Sequence, residues 1–132
     1  MLAPLPGEPR ILDLGCGPGR QSLALAAATG GHVTAIDLIP EFLAQVNERA
    51  TLAGLADRIN TRQFSMSELD YPDGSFDLVW SEGAIYNIGF DSGLAAWRRL
   101  VRPGGGVALT EISWLIDDPP AAVRDYWGEH YP

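Results

Sequence analysis

The chain has 132 residues, with 9 Lys and Arg against 17 Asp and Glu, so its formal net charge is −8. A chain of this length with 46% apolar and 20% charged residues is typical of one globular domain with a buried core. The acidic balance disfavours nucleic acid and anionic membrane surfaces as partners, and no apolar run approaches the roughly 18 residues of a membrane span.

Short apolar runs alternate with longer segments of helical periodicity along the whole chain. Strands are predicted at residues 10–14, 32–37, 59–65, 76–81 and 107–114, and helices at residues 20–28, 40–53, 91–102 and 121–127. Strands that alternate with helices require right-handed crossovers, so the sequence predicts an α/β domain over residues 1–132 with a doubly wound, mostly parallel sheet. Ligands of such sheets bind at the carboxyl ends of the strands.

The residue inventory excludes several chemistries. All nine cationic side chains are arginine, so neither a Walker A phosphate loop nor a Schiff-base lysine is possible. The single cysteine, Cys16, excludes an internal disulfide and predicts a reducing, cytoplasmic location, for which the absence of a visible signal peptide also argues. His32 and His130 lie far apart, so no metal site is predicted.

A glycine-rich segment follows the first predicted strand. It reads Asp13-Leu14-Gly15-Cys16-Gly17-Pro18-Gly19. Alternate glycines permit a tight turn and the close approach of a ligand. A dinucleotide fingerprint would place its third glycine at Arg20, and an acidic residue before the loop suits a cationic, zwitterionic ligand better than a pyrophosphate. The alternative is a tight turn between strand and helix that binds nothing.

Asp37 ends the second predicted strand, about 20 residues after the glycines, where a carboxylate accepts both hydroxyls of a ribose. It can also cap the helix that begins near Pro40, and both roles are compatible. Leu38 would then face an adenine, with Ser65 and Met66 at the adenine edge. For Ser65 and Met66, ordinary loop packing is the alternative.

These features resemble the class I S-adenosylmethionine-dependent methyltransferases, and the resemblance covers the chain from about Arg10 to its end. It rests on the glycine segment, Asp37, and the segments 76–80 and 100–106. The segments 81–90 and 111–114 are similar to those of a bacterial and archaeal group of methyltransferases for small molecules. The resemblance implies a Rossmann-like methyltransferase fold, S-adenosylmethionine as cofactor, S-adenosylhomocysteine as product, and a small-molecule methyl acceptor.

The resemblance also implies site residues. The cofactor would contact Asp13, Gly15, Cys16, Gly17, Gly19, Asp37, Leu38, Ser65, Met66 and Ser81. The candidate acceptor-binding residues are Glu82, Tyr86 and Trp114, followed by Glu111 and by Asp125, Tyr126 and His130 in a capping segment. No single catalytic residue is assigned.

The family's domain continues past a fifth strand, so the chain is interpreted as a truncated form in which residues 115–132 are a cap or tail. Its fifth strand is then expected to be an open sheet edge that self-associates. Three functions remain open: a methyltransferase, a domain that binds the cofactor without turnover, and a nicotinamide-dependent dehydrogenase.

Overall fold

Five parallel strands form one sheet in a computed structural model that describes residues 4–131. The strands are β1 Arg10–Leu14, β2 His32–Asp37, β3 Ile59–Gln63, β4 Phe76–Glu82 and β5 Val101–Thr110. Their order in the sheet is β3-β2-β1-β4-β5, which confirms the doubly wound arrangement. The order reverses between β1 and β4, so the carboxyl ends of these central strands flank the switch point.

Helices cover both faces of the sheet. They are α1 Arg20–Thr29, α2 Pro40–Leu52, α3 Phe90–Arg98 and α4 Ala121–His130. Along β1, Ile11 belongs to the core cluster under α1 and α2, whereas Leu12 and Leu14 belong to the cluster under α3. Because both faces of β1 are buried, apolar residues occur on both of them, and the acidic Asp13 in the same strand is buried as well.

The expectation for β5 was wrong in its bounds. The strand begins at Val101 and ends at Thr110, so the second half of the predicted strand, residues 111–114, lies outside it. Val101 pairs with Phe76, the register then shifts, and Gly106 pairs with Leu78. The glycine run is therefore an irregularity inside an edge strand, where a Cβ at Gly105 would lie 2.6 Å from the Asp77 carbonyl oxygen.

Helix α3 also differs from the expectation at both ends. Gly89, with φ +84°, precedes its first residue, and Asp91 lies within the first turn and makes no cap hydrogen bond. The helix ends at Arg98, because the chain must already be extended at Val101 to pair with β4.

The part of the chain after β5 is the most exposed. Helix α4 contributes no buried residue, and Leu115 before it is 97% exposed. In residues 4–131, no helix is both long enough and apolar enough to cross a membrane. The proposed domain bounds, 1–132, include residues 1–3 and 132, which lie outside the described part.

Candidate functional site

A large cavity, with a volume of about 700 Å³, opens at the carboxyl edge of the sheet. It is formed by the segments that follow β1, β2, β3 and β4: Gly15, Gly17, Ile36–Ile39, Phe42, Phe64–Ser67, Gly83, Ala84 and Tyr86–Ile88. A volume of this size suits a cofactor-sized ligand. The topology therefore brings the segments that follow these four strands to one place.

The glycine loop is fastened to β2. The amides of Gly15 and Cys16 both donate to the Ile36 carbonyl oxygen at 2.9 Å, and the Gly17 amide donates to Asp37 Oδ2 at 2.9 Å. Gly17 has φ +52°, and a Cβ there would have no heavy atom within 4 Å. The Cβ position of Gly17 is therefore open space next to the cavity, so a ligand can approach the backbone there.

Asp37 lies at the cavity wall and organises two backbone segments. Its Oδ2 accepts from Gly17, and its Oδ1 accepts the Ile39 amide at 3.0 Å. Helix α2 begins after Ile39, whose position has no side-chain cap, so Asp37 is not the N-cap of that helix. Each carboxylate oxygen carries a second acceptor site, which leaves Asp37 able to accept hydroxyl groups from a ligand.

Four of the predicted cofactor residues lie behind the cavity wall. Asp13, Cys16 and Ser81 are buried, and the Ser81 hydroxyl donates to the Leu14 carbonyl oxygen at 3.0 Å. Burial raises the pKa of the Cys16 thiol to about 12, so it stays protonated. A Cβ at Gly19 would lie 2.6 Å from a Val46 methyl carbon, so this glycine lets α1 approach α2. The contact of these four residues with a cofactor stays a prediction.

Asp13 is a buried carboxyl group beneath the loop. The Ser22 hydroxyl donates to its Oδ2 at 2.5 Å. Burial raises the pKa of Asp13 from 3.8 to about 6; the Ser22 hydrogen bond opposes this shift, and the charges of Glu82 and Asp37 add to it. The folded chain therefore holds a proton on Asp13 that the unfolded chain releases at lower pH.

This pKa difference predicts a pH-dependent stability that Asp13→Asn removes. Because the folded state binds more protons between pH 3.8 and about pH 6, its stability falls as the pH rises through that window. At about 1.4 kcal/mol per unit of pKa, the loss is about 3 kcal/mol. Asparagine keeps an acceptor for Ser22 and does not ionise. Urea unfolding from about pH 4 to about pH 7 should show the parent losing this stability relative to Asp13→Asn, and parallel profiles would contradict the assignment.

The candidate acceptor residues lie around two cavities. Tyr86, in a short 3-10 turn at Ile85–Asn87, lines the large cavity, whereas Glu82 is exposed at the end of β4. Trp114 lines a second cavity of about 230 Å³ between the segment after β5 and α4. Tyr131, also in that second wall, lies with its ring centroid 3.8 Å from that of Tyr86. The sequence analysis missed Tyr131, because no local pattern reports a contact across 45 residues.

The other members of the capping segment stay apart from the large cavity. The Tyr126 and His130 rings stack on each other at 4.3 Å along the exposed α4, and Asp125 is exposed on the same helix. The sequence analysis also missed the aromatic side chains Phe42 and Phe64 in the cavity wall. Phe42 lies in the first turn of the helix after the second strand, and Phe64 lies near the carboxyl end of the third predicted strand, 59–65. Their nearness to strand ends is the signal that could have found them. Within residues 4–131, no group of three His, Cys, Asp or Glu side chains has the arrangement of a metal site.

The sequence was compared with protein-family models and with known proteins, and both comparisons match methyltransferases. The family model described as "Methyltransferase domain" matches residues 11–105. The 27-O-demethylrifamycin SV methyltransferase of Amycolatopsis mediterranei is 32% identical over 129 residues, which is 93% of this chain and 45% of the relative. The chain spans less than half the length of the curated relatives it matches.

Solved structures agree on the fold. The [4+2]-cyclase SpnF is 30% identical, with a TM-score of 0.75 over 81% of this chain and 40% of the cyclase. The phosphoethanolamine N-methyltransferase 2 of Haemonchus contortus, solved in complex with S-adenosyl-L-methionine, is 26% identical, with a TM-score of 0.85 over 97% of this chain and 30% of that protein. The shared architecture is thus found in proteins named for different reactions.

Proposed function

The chain belongs to the methyltransferase-domain family, and on that premise we propose that it binds S-adenosylmethionine in the large cavity and transfers the methyl group to a small-molecule acceptor. The observation that carries the proposal is the junction of Asp37 with the glycine loop. The Asp37 carboxylate has free acceptor sites and accepts the Gly17 amide. A Cβ at Gly17 would have no heavy atom within 4 Å, so a ligand has room to approach the backbone there.

The cavity wall offers a candidate partner for each part of this cofactor. Asp37 would accept the ribose hydroxyls, and the open backbone at Gly17 would lie along the methionine part. Leu38 and Met66 would enclose the adenine, and the Ser65 hydroxyl lies at the same edge, 2.7 Å from that of Ser67. The Trp97 indole N–H donates to the Met66 carbonyl oxygen at 2.9 Å, which fixes this part of the wall.

The charges near the loop favour a cationic ligand. Asp37 lies in the cavity wall, and the charges of Asp37 and Glu82 act on the buried Asp13 from nearby. S-adenosylmethionine carries a sulfonium and an ammonium group, and negative potential in a cleft raises the local concentration of cations. Asp13 contributes to this potential through space when it is ionised.

When bound, the cofactor would supply an electrophilic methyl group to the nucleophilic atom of the acceptor, with its own sulfur as the leaving group. The residues of this chain align donor and acceptor, and such alignment lowers a bimolecular barrier by several kcal/mol. On the acceptor side we assign Tyr86, which lines the large cavity, together with Glu82 and Trp114.

Turnover is tested by the appearance of S-adenosylhomocysteine with a panel of small acceptors. Calorimetry with a nicotinamide cofactor tests the dehydrogenase alternative. Because one similar structure is a cyclase, cofactor binding without turnover is the second outcome that this panel separates.

Asp37→Ala is expected to weaken cofactor binding by about 1.5–3 kcal/mol, the range for hydrogen bonds to a charged group. The variant also frees the Gly17 amide, so the ribose contribution needs a second comparison. Removing one ribose hydroxyl from the cofactor should weaken binding to the parent similarly and to Asp37→Ala hardly at all. Calorimetry measures both, with the exposed Asp57→Ala as the matched control. If removal of the hydroxyl weakens binding equally in the parent and in Asp37→Ala, Asp37 only holds the glycine loop in place and does not bind the ribose.

The finer proposals concern partners and location. The outer edge of β5 is unpaired in residues 4–131, and edges of this kind recruit other chains. We propose that the chain self-associates through this edge, and sedimentation velocity at rising protein concentration tests the proposal.

The single, buried cysteine supports a reducing, cytoplasmic location. The acidic charge supports a small molecule over a nucleic acid as partner.

A further inference from the structure

Tyr131, the residue that follows α4, joins that helix to the wall of the large cavity. Its ring centroid lies 3.8 Å from that of Tyr86, with 32° between the two ring planes. Its hydroxyl donates to the Gly83 carbonyl oxygen at 3.3 Å. Gly83 and Tyr86 both line the large cavity. One side chain from the end of α4 therefore contacts the cavity wall at two places.

The wall segment that Tyr131 contacts, residues 83–88, packs directly on the glycine loop. The Gly83 amide donates to the backbone oxygen of Thr110 at 3.2 Å and to its Oγ1 at 3.1 Å, so β5 holds the start of the segment. A Cβ at Gly15 would lie 2.5 Å from the Cβ of Ala84, so the backbone of the loop touches the segment closely. Closely packed groups transmit displacements, so a shift of the segment also shifts the surroundings of the loop.

Helix α4 itself is weakly anchored. All of its ten residues are exposed to solvent. The hydrogen bonds of the Arg124 and His130 side chains stay within the segment 118–130. Across the smaller cavity the helix faces the segment after β5, which is exposed as well. The Tyr131 amide donates to the Trp127 carbonyl oxygen at 2.8 Å, so Tyr131 continues from the last turn. Because a helix this short is marginal by itself, its order depends on contacts such as that of Tyr131.

We propose that Tyr131 is a positioning residue for the large cavity: it holds the wall segment 83–88 against the glycine loop and so couples the order of α4 to cofactor binding. The proposal rests on the proposed cofactor site and adds a control on that site from α4. Such coupling is reciprocal, because a contact that favours the binding-competent wall is itself favoured when the cofactor binds. A bound cofactor therefore protects α4, although the helix lies outside the large cavity.

The first measurement is the affinity for S-adenosylhomocysteine, obtained by calorimetry on the full chain. Tyr131→Ala removes the ring contact and the hydrogen bond, and its affinity should fall about fivefold or more, the lower end of the range for coupled sites. Tyr131→Phe keeps the ring on Tyr86 and should bind between Tyr131→Ala and the parent. Tyr126→Ala is the matched control: its ring lies on the same helix but stacks on His130, so the variant should keep the parent affinity.

The second measurement separates positioning from a purely structural role. Hydrogen exchange of the α4 amides is followed by mass spectrometry with and without saturating S-adenosylhomocysteine. In the parent, this exchange should slow when the ligand binds, and in Tyr131→Ala the slowing should disappear. A structural role alone would lower the urea midpoint of Tyr131→Ala, but it would leave the affinity and the ligand-dependent protection unchanged.

An unchanged affinity in Tyr131→Ala would overturn the proposal, as would exchange in α4 of the parent that does not respond to the ligand. Failure of the proposed function has a separate signature, because the parent would then not bind S-adenosylhomocysteine at all. Exchange of the amides in residues 83–88 without ligand still decides in that case whether Tyr131 holds the wall. This exchange should be faster in Tyr131→Ala than in Tyr126→Ala, and equal rates would overturn the positioning role.

Discussion

Gly17→Val is expected to abolish S-adenosylmethionine binding while the sheet remains folded. A Cβ at this position meets no protein atom within 4 Å, so the valine side chain extends into space that the proposed cofactor needs. The φ of +52° adds a backbone strain of about 1–2 kcal/mol for any residue with a Cβ. Calorimetry reports the loss of binding, and far-UV circular dichroism reports the fold.

Gly54→Val separates the steric effect on the ligand from strain in the backbone. Gly54 also has positive φ, +70°, and a Cβ there would likewise meet nothing within 4 Å. It follows the end of α2 and is not part of the cavity wall. The two variants should therefore lose similar stability, and only Gly17→Val should lose the cofactor. If Gly17→Val binds S-adenosylmethionine as tightly as Gly54→Val does, the loop is a turn and no more.

Much of the fold follows from local sequence because local and global preferences agree. The central strand β1 has three apolar residues and is followed by a glycine-rich segment, and Pro40 begins a helix whose apolar residues recur at spacings of three and four. These features do not depend on distant contacts. The alternation of strand and helix then leaves few topologies, and the sheet order is one of them.

The errors occur where distant backbone decides local structure. Nothing between Leu100 and Gly106 indicates an extended chain, since Pro103 and the glycines read as a turn. The strand begins at Val101, before the predicted start, because Val101 pairs with Phe76. Gly105 has no side chain, so the Asp77 carbonyl oxygen can lie close to it. A pairing partner more than 20 residues away is not visible in local propensity.

In the candidate site too, some features follow from local sequence and others depend on distant contacts. The position of Asp37 at a strand end was enough to place it at the cavity, but its bond to the Gly17 amide depends on the register of β1 and β2. Gly19 belongs to the same motif, yet its absent side chain makes room for Val46. A motif thus names the residues of a loop, whereas packing determines which of them a ligand can reach.

Trp97 joins the stability of the core to the shape of the site, and Trp97→Ala should have the largest effect on folding. The side chain is fully buried and packs with Ile85 and Leu100 in the cluster under α3. Removing a buried tryptophan side chain costs about 3–5 kcal/mol. That is a large share of the 5–15 kcal/mol that stabilises a typical domain. Urea unfolding should show the loss as a lower midpoint, and a loss below about 1 kcal/mol would contradict this role.

Trp97→Phe isolates the link to the cavity wall. Phenylalanine keeps much of the packing but removes the indole N–H that holds the Met66 carbonyl oxygen, a loss of about 0.5–1.5 kcal/mol. Because Met66 lines the proposed adenine site, cofactor affinity should fall as well. Trp80→Phe is the matched control: the Trp80 indole N–H has no hydrogen-bond partner within residues 4–131, and its ring packs on the opposite face of the sheet. If both variants bind the cofactor like the parent, the Trp97 hydrogen bond supports the core without shaping the site.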